Sequence, residues 1–84
     1  MKKKILIIED DKILRENIAE LLSLSGYEAF IAAGGISGIK KSVELLPDLI
    51  VCDIMMPDTD GYSVLHALRK QNPTQNIPFI FLTA

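Results

Sequence analysis

The sequence predicts an α/β protein, a doubly wound parallel sheet with helices on its faces. Two observations carry the prediction. Short β-rich runs alternate with stretches of helical period over the 84 residues, and the first of those runs is too apolar to have a wet face. A third observation sharpens it: the first and third runs each lead straight into carboxylates, and in such a sheet all strands deliver their carboxyl ends to one edge, where ligands bind.

Lys4 to Ile8 (KILII) reads as the first strand. Asp11 can cap the helix that follows, in which Ile13, Leu14, Ile18, Leu21 and Leu22 recur at three- and four-residue steps before Gly26 supplies a stop. That amphipathic pattern predicts a helix leaning on the sheet. Tyr27 to Ala33 is a second strand, less consistently apolar, as expected near a sheet edge. Gly34-Gly35 breaks it ahead of a helix bearing Ile36, Ile39, Val43 and Leu46, which Pro47 ends. These glycines lack a Gly-x-Gly-x-x-Gly or Gly-Lys-Ser/Thr setting and read as turn punctuation rather than a phosphate loop. Asp48 to Cys52 is the third strand, Tyr62 to Gln71 a helix with Val64, Leu65 and Leu68 on one face, and Ile77 to Leu82 a fourth strand in which Pro78 is tolerable near the start.

Charge and length narrow the function. A net charge of -2 gives no global attraction to nucleic acid or to an anionic membrane. No apolar run approaches the roughly 20 residues that span a bilayer, and Lys2-Lys3-Lys4 reads as a solvated lead-in to the first strand, so a cytoplasmic protein is expected. The single cysteine, Cys52, cannot form an internal disulfide and sits in an apolar run as a small hydrophobe.

The acids carry the chemistry. Glu9, Asp10 and Asp11 follow the first strand and Asp53 follows the third; with neighbouring strands about 4.8 Å apart, Asp10 and Asp53 can share an ion. Carboxylates so gathered raise one another's pKa unless a cation intervenes. Every candidate ligand is a hard oxygen, which favours Mg²⁺ over zinc or copper. An aspartate beside such an ion can accept a phosphoryl group, since phosphoryl transfer is mostly positioning and neutralisation of charge. Thr83, after the fourth strand and on the same edge, offers a hydroxyl to a phosphoryl oxygen.

Three segments, ILIIEDD (Ile5 to Asp11), PDLIVCDIMMPDTDG (Pro47 to Gly61) and IPFIFLTA (Ile77 to Ala84), together resemble the receiver domain of two-component response regulators, in order and spacing. The resemblance implies the flavodoxin-like receiver fold of strand order 2-1-3-4. It implies that Asp53 accepts phosphate from the phosphohistidine of a sensor histidine kinase or histidine phosphotransfer protein. Asp10 and Asp53 would ligate Mg²⁺ directly, the main-chain carbonyl of Met55 would be a third ligand, Glu9 would act through water, and Thr83 would be the switch hydroxyl beside a small Ala84. Neighbouring residues have plainer roles: Asp11 as a helix cap, Met56 and Pro57 as loop shape, Gly61 as a tight turn, Asp58 and Asp60 as caps of the following helix or solvent-facing acids, and His66 as a solvated or packing side chain.

The family pattern continues through a fourth helix, a fifth strand ending in lysine, a switch aromatic and a fifth helix, which the 84 residues do not contain. Residues 1–84 are therefore expected to form a βαβαβαβ receiver unit that is incomplete at its C-terminus. The same comparison predicts self-association through an exposed fourth-strand edge or an uncovered sheet face. Two alternatives stand beside the phosphoacceptor: an interaction module of the same fold indifferent to phosphorylation, and a Mg²⁺-dependent hydrolase with an aspartate nucleophile. The hydrolase wants an Asp-x-Asp pair after the first strand, which IIEDDK does not supply. No contact with nucleic acid or membrane is expected of this segment.

Overall fold

Four strands, all parallel, stand in the order β2-β1-β3-β4. The computed structural model describes residues 1–82, in which β1 (Lys4–Ile8), α1 (Lys12–Leu24), β2 (Glu28–Ala32), α2 (Gly35–Leu45), β3 (Leu49–Asp53), α3 (Gly61–Arg69) and β4 (Phe79–Leu82) alternate as the sequence predicts. Chain order reverses direction across the sheet between β1 and β3, which makes that pair the topological switch point. Registers place Ile8 beside Ala32 and Cys52, and Asp53 beside Leu82.

One sheet face forms the core. Leu6, Ile8, Ala32, Ile50 and Cys52 pack against Val64 and Leu68 of α3, with Ile39 and Leu45 of α2 partly buried around them. Burial pushes the Cys52 thiol up to about 12, reinforced by the negative charge of Asp53 and Glu9, so the thiol stays protonated and inert. The opposite face is thinner. Ile5, Ile7 and Val51 are buried there, yet α1 buries none of its own residues, Ile13, Leu21 and Leu24 remain exposed, and Ile80 of β4 is 52% exposed. The amphipathic α1 leans on β1 and β2 as expected, but it does so along a narrow stripe.

Element ends differ from the expectation where a side chain or proline takes over a backbone bond. β3 begins at Leu49, where the Asp48 carboxylate and not a backbone carbonyl accepts the Lys4 N–H (2.7 Å) while the Asp48 N–H donates to the Lys4 carbonyl (2.8 Å), and it runs through Asp53, which pairs with Leu82 of β4. β4 starts at Phe79, two residues later than predicted, since Ile77 N–H turns back to the Thr74 carbonyl (3.2 Å) and Pro78 has no N–H to give. α2 ends before Pro47 with Leu46 in the left-handed region at φ 47°. α3 stops at Arg69 rather than Gln71, where the buried Thr74 hydroxyl donates to the Leu68 carbonyl (2.7 Å) in place of a further helical N–H. Gly26, with φ 97°, is the stop after α1 that the sequence predicts.

Candidate functional site

The site starts from register. Ile8 pairs with Cys52 across β1 and β3, so one step further along both strands brings Glu9 level with Asp53. Strand alternation then decides the face. Ile8 and Cys52 point into the core under α2 and α3, which sends Glu9 and Asp53 to the α1 side. Asp10 follows in the short link to α1. One oxygen from each of Glu9, Asp10 and Asp53 lies within 4.8 Å of the others, the arrangement of a metal-ligand set. The three acids line an open cleft of about 410 Å³ together with Asp11, Leu14 and Ile18 of α1 and Leu82 of β4.

Burial is graded across the trio: Glu9 is 3% exposed, Asp53 half-buried and Asp10 exposed. Glu9 has its pKa raised from 4.5 to about 7, chiefly by desolvation, with the Asp10 hydrogen bond and the Asp53 charge adding to it and the Asp11 N–H opposing. That N–H donates to Glu9 Oε2 at 3.1 Å. A carboxyl held half-protonated near pH 7, first by its burial and then by two neighbouring carboxylates, would become ionised beside a divalent cation. The donor set, three oxygens with no nitrogen or sulfur, fits a hard ion such as Mg²⁺.

The remaining predicted residues divide clearly. Asp11 caps α1, its carboxylate accepting the Leu14 N–H at 3.1 Å, as expected. Asp60 caps α3, accepting the Ser63 N–H at 2.8 Å. Asp58 is exposed, one of the two expectations for it, but it does not cap the following helix: it serves the preceding helix, α2, because the β3–α3 loop folds back over the α2 N-terminus. Met55 has a largely exposed side chain in the same loop. Gly61 closes that loop, donating its N–H to the Ile54 carbonyl at 2.7 Å, and a Cβ there would lie 2.5 Å from the Asp53 carbonyl oxygen. His66 is exposed on the outer face of α3, beside a hollow lined by Tyr62, Ser63 and Lys70 and none of the three acids. Thr83 lies outside the described residues.

Sequence reasoning missed Arg15. One guanidinium nitrogen, Nη1, donates to the carbonyls of both Glu9 (3.1 Å) and Asp10 (3.2 Å), so α1 braces the acidic turn from one helical turn downstream. The signal was available in its place one turn into the helix, four residues after Asp11, but a basic residue on an exposed helix has no unique reading.

With this geometry in hand, comparison with known proteins is decisive for the family. The model of the response regulator receiver domain matches residues 5–84, and the chain belongs to that family. It is similar to the DNA-binding dual master transcriptional regulator RpaA of Synechocystis, 41% identical over 96% of this chain and 34% of the relative. Among solved structures, the receiver domain of the sensor histidine kinase PA1611 from Pseudomonas aeruginosa, determined with magnesium in its active-site cleft, aligns with TM-score 0.94 at 31% identity over 100% of this chain and 69% of that one. The chemotaxis protein CheY4 of Vibrio cholerae aligns with TM-score 0.92 at 26% identity, covering 100% of this chain and 72% of that one. The chain spans about a third of the length of the curated relatives it matches. Among the described residues no helix is long and apolar enough to cross a membrane.

Proposed function

We propose that the chain is a phosphoacceptor of two-component signalling in which Asp53 takes a phosphoryl group from the phosphohistidine of a sensor histidine kinase or phosphotransfer protein. The observation that carries this reading is the convergence of Glu9, Asp10 and Asp53 within 4.8 Å at the carboxyl edge of β1 and β3. In the transfer, an Asp53 carboxylate oxygen forms the new O–P bond as the N–P bond to the donor imidazole breaks, and the imidazole leaves with the bonding pair. Asp10 and Asp53 would hold Mg²⁺, with the Met55 carbonyl as a further ligand and Glu9 acting through water. The ion, when bound, offsets the charge of the incoming phosphoryl oxygens. Glu9 and Asp10 supply the negative wall that retains the ion, Arg15 holds their backbone, and Thr83 would meet a phosphoryl oxygen. The chain acts as a regulatory switch that assists its own phosphorylation, with output in segments such as those its longer relatives carry. A surface for association with a second copy is available in the exposed apolar residues of α1 and in Ile80 of β4.

Intact-mass analysis after incubation with Mg²⁺ and a small phosphodonor tests the reading, with the oligomeric state recorded on the same sample. A labile phosphoryl adduct is expected on the chain and not on Asp53→Asn. An adduct on both, or on neither, would overturn Asp53 as the acceptor.

A further inference from the structure

Helix α2 has no cap of its own. Its N-cap position is Gly34, which has no side chain to accept a hydrogen bond, and Gly35 follows. Yet the first N–H groups of the helix are not left to solvent. Asp58, more than twenty residues away in sequence, accepts the Gly35 N–H on Oδ1 (3.1 Å) and the Ile36 N–H on Oδ2 (2.9 Å), while Oδ1 also takes the Thr59 N–H of its own loop (2.9 Å). Both oxygens of one carboxylate are thus engaged, across two elements.

The loop and helix also meet sterically. A Cβ on Gly34 would lie 2.9 Å from Asp58 Oδ2, and one on Gly35 would collide with the Thr59 side chain. Glycine at both positions is what lets the β3–α3 loop lie this close. The loop is then held at three points: at its root by Gly61 N–H to the Ile54 carbonyl (2.7 Å), at its exit by the Asp60 cap of α3, and at its tip by Asp58. Met55, whose carbonyl is the proposed third metal ligand, lies between root and tip.

We infer that Asp58 is a positioning residue for the phosphoacceptor site: by docking the loop tip onto the N-terminus of α2 it fixes the segment that carries Met55 and so sets the affinity of the acid cluster for its cation. This rests on the metal reading of Glu9, Asp10 and Asp53 given above. An unanchored loop would have to be ordered on each binding event, and that ordering weakens binding. Partners that orient metal ligands typically change affinity by 10- to 100-fold when removed; for an anchor acting through a loop, a loss of about three- to tenfold is expected.

The test is Mg²⁺ titration of the chain, Asp58→Ala, Asp58→Asn and Ser42→Ala by amide NMR. The last removes a buried hydroxyl bond within α2, to the Gly38 carbonyl at 2.7 Å, and controls for loss of stability alone. Asp58→Ala should weaken Mg²⁺ about three- to tenfold and shift the Gly35 and Ile36 amides together with those of Ile54, Met55 and Met56. Asp58→Asn keeps one acceptor oxygen and should fall between it and the parent, while Ser42→Ala should leave Mg²⁺ affinity unchanged. Equal Mg²⁺ affinity in the parent and Asp58→Ala would overturn the positioning role and leave the metal site standing. No Mg²⁺ uptake by the parent, with Asp53→Asn indistinguishable from it, would overturn the metal reading and the positioning role with it.

Discussion

Replacing Glu9 with glutamine should make the metal-free chain more stable at alkaline pH, although it removes a residue of the site. Glu9 is 3% exposed and its pKa is raised from 4.5 to about 7, first by desolvation and then by Asp10 and Asp53. Between those two values the folded chain keeps a proton that the unfolded chain has released. The folded state therefore binds more protons, and stability falls as pH rises from about 4.5 to about 7. At roughly 1.4 kcal/mol per pH unit, the interval corresponds to a loss on the order of 3 kcal/mol, complete only above pH 7. Glutamine carries no ionisation, and its side-chain oxygen can still accept the Asp11 N–H that Glu9 accepts at 3.1 Å.

Urea unfolding of both chains in chelator, at intervals from pH 4 to pH 8.5, reads this directly. Taking the difference between the two curves removes the titration of every group that does not interact with Glu9, and so reads Glu9 together with its neighbours Asp10 and Asp53. Glu9→Gln should match the parent near pH 4 and exceed it by about 3 kcal/mol at pH 8. Added Mg²⁺ should shrink the gap by stabilising the parent, whose ionised Glu9 favours the cation. A difference independent of pH, or one in which the parent gains on the variant as pH rises, would refute the assignment of Glu9 as a strained acid awaiting a cation.

Two further perturbations address the loop. Asp60→Ala removes the α3 cap at Ser63 and should cost about 1 kcal/mol in urea unfolding, with phosphoryl uptake retained. Gly61→Ala places a Cβ 2.5 Å from the Asp53 carbonyl oxygen and 3.1 Å from Ile54 Cα, backbone atoms that cannot swing away; a loss of about 1 to 3 kcal/mol in thermal unfolding is expected, together with slower adduct formation because the strain falls on the residue after which the loop begins.

Much of this was legible because the informative residues sit in periodic contexts. Apolar strands with helical periods between them fixed the element order, and acids at two strand ends fixed the functional edge, since parallel connectivity leaves them nowhere else to go. Asp11 was readable as a cap because cap and helix are adjacent in sequence. Asp58 was not, because its partners Gly35 and Ile36 are brought to it only by the docking of α2 beside the β3–α3 loop, and an aspartate two residues before a second aspartate looks like a cap of the same helix. The ends of β3 and β4 escaped for a related reason: Asp48 and Pro78 change a strand boundary through bonds to, or withheld from, a neighbouring strand. Arg15 braces backbone carbonyls, which leave no trace in residue type.

The aspartates also show why this edge should hold a cation at all. In a parallel sheet each helix begins just after a strand's carboxyl end, so the N-termini of α1, α2 and α3 all gather at the edge where the acids stand, and their free N–H groups favour negative charge. Each of those termini is already served by its own aspartate, α1 by Asp11, α2 by Asp58 and α3 by Asp60. Asp58 is held below the usual carboxylate range by the amides it accepts, those of Ile36 and Gly35 foremost. Asp10 and Asp53 have no helix amide of this kind among the described residues, and Glu9 has only the Asp11 N–H against two carboxylate neighbours. The fold has thus matched its available backbone donors to three acids and left three others gathered within 4.8 Å. On the proposed metal reading their repulsion is what a divalent ion would relieve, and the phosphoryl group would then arrive at an edge whose excess negative charge has been offset by that ion and not by the helices.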